Sequence, residues 1–247
     1  MSPGFFRAAL YPFKGVAYLA RTPSLWKYAA FAFAANLLVF TALAVALYLS
    51  YDKLVDAITP DRLPAWLSWV QKALPVIVGC FVLLLAATVG LFLFTIIGNM
   101  IAGPFLESMT AVMRVQLGEP APPPRGFWNA LGRSIANQLL KLLIFGSIQF
   151  VLLGCFFTPL SFLHPVFSGL LTVVFLALEY WDYPLEGRGL MVPARLAYLN
   201  SHLRPALGFG TVTWLMLLVP FLGYIMMPAS VCAATLLVHD LDKKSAP

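Results

Sequence analysis

The sequence predicts an all-α integral membrane protein. It would have two long transmembrane helices, two broken helical hairpins that penetrate the bilayer part-way, and an N-terminal amphipathic helix at the interface. Three observations carry this. Tyr28–Tyr51, Ala73–Leu106, Leu142–Leu178 and Pro205–His239 contain no Asp, Glu, Lys or Arg, and together they cover more than half of the 247 residues. About 20 apolar residues in a helix cross the hydrocarbon of a bilayer, and a soluble core has no use for longer uncharged runs. The chain is 61% hydrophobic and only 11% charged, with a mean hydropathy of +0.86, where a soluble domain is nearer a quarter charged. Finally, the last two apolar runs are each interrupted by proline near the middle, and the first two are not.

The chain reads as one membrane domain over residues 1–247. Residues 3–21 form the interfacial helix. Arg7, Tyr11, Lys14, Tyr18 and Arg21 recur at steps of four and three, a polar stripe on an otherwise apolar helix. A narrow basic stripe of this kind suits a helix lying in the headgroup region, and the alternative is a helix packed on protein with its stripe in water. Thr22-Pro23 breaks the chain, with Pro23 suited to the first turn of the next helix. The first span covers 24–50, and a polar loop follows from Tyr51 to Lys72 with Trp66 and Trp69 as interface anchors. The second span covers 73–102 and ends at Gly103-Pro104, a strong breaker. Glu119–Gly126 is linker-like, and after it Asn129, Arg133, Asn137 and Lys141 recur every four residues, giving the next helix a polar face.

Residues 127–178 and 193–239 are the two broken segments. After the break at Pro159–Pro165 only Val166–Leu178 remains before Glu179, and Pro220 is preceded by the short stretch Leu207–Val219. A helix of either length is only about 20 Å long, short of the roughly 30 Å of hydrocarbon. Each run is therefore a kinked span or a hairpin returning to the side it entered from. With two hairpins, 13 of the 16 basic residues share one side. With two spans the division is 10 against 6. The positive-inside rule favours the hairpins, and places both termini in the cytoplasm.

Chemistry-bearing residues are sparse. Cys80, Cys155 and Cys232 all lie in apolar runs at no metal-binding spacing and read as buried thiols. His164, His202 and His239 are scattered, so no metal and no cofactor are expected. There is no Ser-His-Asp arrangement, zinc motif or phosphate loop, so an enzyme is not expected. No compact basic block suggests nucleic acid. Glu179 and Asp182 share a helix face at a membrane edge. They are candidates for acid–base work or for the ion path, but an interfacial cluster paired with Arg188 or Arg195 accounts for them as well. Asn99, near the end of the second span, is a candidate for the path or for a helix–helix hydrogen bond. Gly208, Gly210 and Gly223 read as sites of close helix packing.

Ile101-Ala102-Gly103-Pro104-Phe105, Glu179-Tyr180-Trp181-Asp182-Tyr183-Pro184 and Val219-Pro220-Phe221-Leu222 with Met227-Pro228-Ala229-Ser230 resemble segments of the CysZ sulfate permease family, the etoposide-induced-protein-like membrane proteins. Their order and spacing match from about Phe13 to Asp240. The resemblance implies an inner-membrane helical protein, oligomeric, that takes up sulfate or a similar small inorganic anion for sulfur assimilation. It also implies an anion site where the interfacial helix meets the first span, at a Gly-Leu-Arg motif often followed by a second basic residue. Here the corresponding residues are Ser24-Leu25-Trp26-Lys27, so Ser replaces Gly, Trp replaces the first Arg, and Lys27 keeps its charge. The candidate anion-binding residues are Arg21, Ser24, Leu25 and Lys27. The alternative function is a non-transporting scaffold or bilayer-shaping protein of the same family.

Overall fold

The computed structural model describes residues 3–58, 68–120, 126–156, 158–159, 161–219 and 222–243. The structure is all-α, with no strand among the described residues. The helices are α1 (Phe5–Ala8), α2 (Tyr11–Arg21), α3 (Trp26–Ile58), α4 (Ser68–Gln116), α5 (Phe127–Phe156), α6 (His164–Glu186), α7 (Val192–Ser201), α8 (Leu203–Leu217) and α9 (Leu222–Lys243). Pro23–Val55, Trp128–Phe156 and Ser161–Glu186 are long and apolar enough to cross a membrane. The chain forms two compact units, residues 34–102 and residues 1–33 with 103–247.

Several boundaries differ from those expected. The N-terminal helix is split, because Pro12 at the first turn of α2 has no N–H to continue α1. α3 runs on through Asp52 and Lys53 to Ile58, so the polar stretch after the first apolar run begins as helix. α4 is continuous through Gly103-Pro104 and ends at Gln116. Prolines are tolerated in membrane helices where neighbouring groups take up the freed backbone atoms. The Gly-Pro pair instead marks the place where the chain passes from one compact unit to the other. Trp66, Pro220 and Phe221 lie outside the described residues, and so does most of the Pro-rich linker.

Within the larger unit, α5 and α6 form an antiparallel hairpin, α5 ending at Phe156 and α6 starting at His164. Its register is visible in paired residues: Asn137 bonds Glu186, Lys141 bonds Glu179, and the Phe145 ring lies edge-on to Phe175 at 4.9 Å. The arms are longer than the proline positions suggest. Pro165 sits in the first turn of α6, where a missing N–H costs nothing, and the helix runs past Leu178 to Glu186. α8 and α9 are the shorter pair, α8 ending at Leu217 and α9 beginning at Leu222. The distal residues Phe162 and Val166 are 68% and 64% exposed, so this chain alone does not cover the tip of the first hairpin.

The core sits where α6, α8 and α9 meet, with α1 against α8 and α2 along α9. Trp181, Phe209, Leu237 and Leu241 are fully buried there. From Pro228 to Ala234, α9 is buried at every position, and its Ala, Ser and Cys residues let neighbouring backbones come close. Cys232 belongs to this stretch, whereas Cys155 is half-buried and Cys80 is exposed, against the expectation of three buried thiols.

α2 does not lie apart from the protein. Tyr11, Pro12 and Gly15 are buried, with Gly15 against α9, while Phe13, Lys14 and Arg21 are exposed. The stripe is thus divided between roles. The Tyr11 hydroxyl donates to Asp240 and the Tyr18 hydroxyl to Gln116, leaving the basic residues outward. Burial, and then the Asp240 carboxylate, hold the Tyr11 phenol well above its ordinary range. A Cβ on Gly15 would come within 2.2 Å of the Ala229 carbonyl oxygen, and one on Gly208 within 2.1 Å of the Phe5 carbonyl oxygen. Both contacts are with backbone and cannot yield by a rotamer change. Gly15→Ala should therefore cost about 1–3 kcal/mol by overpacking, seen as a lower melting temperature in detergent. Gly146→Ala, at a helical glycine with nothing within 4 Å, should melt at or above the wild-type temperature.

Candidate functional site

Three groupings of polar residues stand out, all in the larger unit. The most buried is an ion network between α5, α6 and α7. Glu179, Asp182 and Glu186 fall three and four residues apart, so they line one face of α6. Arg133, Asn137 and Lys141 follow at four-residue steps on α5 and meet them in antiparallel register. The Lys141 ammonium lies 2.7 Å from Glu179 and 3.2 Å from Asp182. Arg133 reaches Glu186 at 3.1 Å, and the Asn137 amide donates to Glu186 at 2.8 Å. Arg195 arrives from α7 and is 1% exposed. Its Nη1 lies 2.6 Å from Asp182 and 3.3 Å from Glu186, and its Nε donates to the Leu190 carbonyl.

Three carboxylates thus meet three cations. A charge buried away from water is costly unless it is paired and hydrogen-bonded, and this arrangement meets that demand. Glu179 and Asp182 are therefore a paired cluster, with Arg195 one of the two partners the sequence suggested. The other, Arg188, turns elsewhere. Sequence spacing alone does not name Lys141 and Glu186 as members of this site. The signal was present in the four-residue polar repeat of α5 and the 179/182/186 spacing, but only the antiparallel register brings the two stripes together.

The second grouping ties the end of α4 to α9. Glu119 follows a turn in which Gly118 takes φ +84°. Its carboxylate accepts from Arg114 Nε at 2.8 Å, His239 Nδ1 at 2.8 Å and Arg188 at 3.4 Å. Arg188 also pairs with Asp242, which accepts from the Tyr198 hydroxyl. Burial alone would raise the Glu119 carboxyl, but the Arg114 and His239 hydrogen bonds and the Arg188 charge hold it below the usual carboxylate range.

The third is the break between α2 and α3, which holds the candidate anion-binding residues. Arg21 ends α2 and is exposed, as are Ser24 and Lys27, while Leu25 is fully buried. Pro23–Leu25 form a 3-10 turn in which the Leu25 N–H donates to the Thr22 carbonyl at 3.0 Å. That amide is thereby occupied, and the Ser24 hydroxyl accepts weakly from Gln116 at 3.4 Å. The Trp26 indole N–H donates to the Leu19 carbonyl at 2.8 Å. Lys27 Nζ lies 5.0 Å from the Tyr28 ring centroid. Neither Arg21 nor Lys27 enters a salt bridge among the described residues. Asn99 lies in α4, and its side chain is outside the described residues.

The family described as sulfate transporter CysZ/etoposide-induced protein 2.4 matches residues 11–228. A protein of Pseudomonas aeruginosa (strain LESB58) named sulfate transporter CysZ is 33% identical over 206 residues, 81% of this chain and 82% of its own length. One of the same name from Pseudomonas fluorescens (strain Pf0-1) is 30% identical over 223 residues, covering 88% and 87%. Another from Pectobacterium atrosepticum is 28% identical over 185 residues, covering 73% and 66%.

The ion network makes a direct prediction about the hairpin. Lys141→Gln strands the buried Glu179 carboxylate and weakens the pairing of Asp182. It should cost about 3–5 kcal/mol, as removal of one partner of a buried pair does. Lys141→Gln with Glu179→Gln replaces the pair by neutral amides and should recover part of that loss. Melting temperature and monodispersity in detergent measure both. If Lys141→Gln melts like wild type, the network does not hold α5 to α6.

Proposed function

The chain belongs to the sulfate transporter CysZ/etoposide-induced protein 2.4 family, and from that premise we propose that it is an inner-membrane permease for sulfate or a similar small anion, feeding sulfur assimilation. The observation that carries this reading is the extent of the likeness. Relatives named as sulfate transporters align over four-fifths or more of the chain at 30–33% identity. The helical architecture with long apolar spans is what passage through a bilayer requires.

The oxyanion site of this proposal lies at the α2–α3 break. Arg21 and Lys27 are exposed cations without carboxylate partners among the described residues, and Ser24 adds a hydroxyl beside them. An arginine or lysine grips a tetrahedral oxyanion by charge-assisted hydrogen bonds. With the Leu25 amide occupied, that grip rests on side chains. Glu179 and Asp182 stand outside the path in this reading. Their charges are spent on Lys141 and Arg195, and a carboxylate pair at the mouth would repel sulfate. The working unit is a homo-oligomer, in which the exposed tip of the α5–α6 hairpin meets a second copy or lipid.

The topology proposed with it has both termini, residues 107–141 and residues 179–206 in the cytoplasm. Residues 51–72 lie on the far side. In a background without Cys80, Cys155 and Cys232, Ala57→Cys should react with an impermeant thiol reagent added to intact cells, and Ser201→Cys should not. Reaction at Ser201→Cys would turn the last two apolar runs into full spans.

Transport itself is tested by radiolabelled sulfate flux into proteoliposomes against empty liposomes. Lys27→Ala should lose measurable sulfate binding by calorimetry. Trp26→Arg, which adds a charged donor worth roughly 1.5–3 kcal/mol, should strengthen binding tenfold or more. A protein without flux, and without gain from Trp26→Arg, is a membrane scaffold of this family rather than a permease.

A further inference from the structure

Beside the α2–α3 break lies an open-sided cleft of about 380 Å³. Val16 and Leu19 of α2, Trp26, Ala30 and Phe33 of α3, and Pro228 of α9 form most of its wall. The lining makes no demand for hydrogen bonds. Its one polar side-chain atom, the Trp26 indole nitrogen, already donates to the Leu19 carbonyl. Trp26 and Phe33 are 55% and 50% exposed, so apolar matter such as a lipid acyl chain can cover both rings with no hydrogen bond lost. Arg21 and Lys27 border the same break, exposed and without a carboxylate partner among the described residues.

We infer that this cleft is a binding site for one anionic phospholipid, with an acyl chain against Trp26 and Phe33 and the headgroup phosphate on Arg21 and Lys27. Charge complementarity selects the occupant. A neutral lipid would fill the cleft and leave two cations unused, and a free anion would use the cations and leave the cleft bare. A second copy of this chain would have to cover two unpaired charges, which is costly. An anionic phospholipid satisfies both parts, and a basic residue near a membrane surface favours such a headgroup by about fivefold each. A lipid phosphate and sulfate are both tetrahedral oxyanions, so the two compete for the same cations. The lipid site stands whether or not the chain carries sulfate across the membrane.

The test uses the full-length protein in mixed micelles with phosphatidylglycerol or phosphatidylcholine bearing identical brominated chains, which quench nearby tryptophan. The part of the quench lost in Trp26→Phe is the signal. Phosphatidylglycerol should reach half-quenching at a mole fraction about 5- to 25-fold lower than phosphatidylcholine. Lys27→Ala should shrink that preference about fivefold, and Ala30→Phe, which fills the cleft and keeps both charges, should also reduce it. Sodium sulfate, at an ionic strength matched with sodium chloride, should displace phosphatidylglycerol more than chloride does. Equal quenching by the two lipids overturns the site, and so does a preference that survives Ala30→Phe. A quench that follows ionic strength alone, whichever the salt, reduces the effect to surface attraction and overturns it as well.

Discussion

A charge that leaves water for the edge of a bilayer must bring its partner with it, since breaking such a pair costs several kcal/mol. The architecture of the larger unit follows from this constraint. Lys141 and Arg133 on α5 face Glu179, Asp182 and Glu186 on α6, and Arg195 closes the set from α7. The pairing fixes the register of the α5–α6 hairpin, because a shift by one residue would turn three carboxylates toward apolar neighbours. Outside the network, the residues from Leu142 to Leu178 carry no Asp, Glu, Lys or Arg at all. Phe145 and Phe175 can then pack in the only register the charges allow.

The second organising contact is the approach of α2 to α9. The two backbones come as near as they do because Gly15 has no side chain and because α9 presents Ala229 and Ala233 at that point. This brings the N-terminal basic segment against the last helix. It also builds the cleft beside Trp26. A helix with a basic stripe is therefore at once part of the packed protein and part of its charged surface, with tyrosines turned in and Arg21 and Lys14 turned out.

Much of this was legible in the sequence because the bilayer restricts the choices so severely. Uncharged runs announced the long apolar helices α3, α5 and α6, and the prolines around 159–165 and 220 announced the two breaks. The Glu-x-x-Asp spacing at 179 and 182 announced a shared helix face, and Arg195 was a visible partner for it. Helix ends were less legible. Asp52 and Lys53 look like loop residues yet continue α3, because an exposed charged residue is as content in a helix as in a turn. Gly103-Pro104 looks like a stop yet stays in α4, because propensity is weak beside the packing around it. At the candidate anion site, residue types pointed to Lys27 and Arg21. That the Leu25 amide is taken by Thr22 depends on the 3-10 turn, which no spacing reveals.

The Tyr11–Asp240 contact joins residues 229 positions apart, which has a consequence for how the protein is made. At a synthesis rate of about 5–20 residues per second, α2 exists for roughly 10–45 s before α9 leaves the ribosome. During that interval the Gly15 face has no protein partner, and the bilayer surface is the natural place for it to wait. The fold closes from its last helix back onto its first. A chain that stops short of α9 therefore forfeits the docking of its own N-terminus, and the quality of the finished molecule is decided at the end of translation.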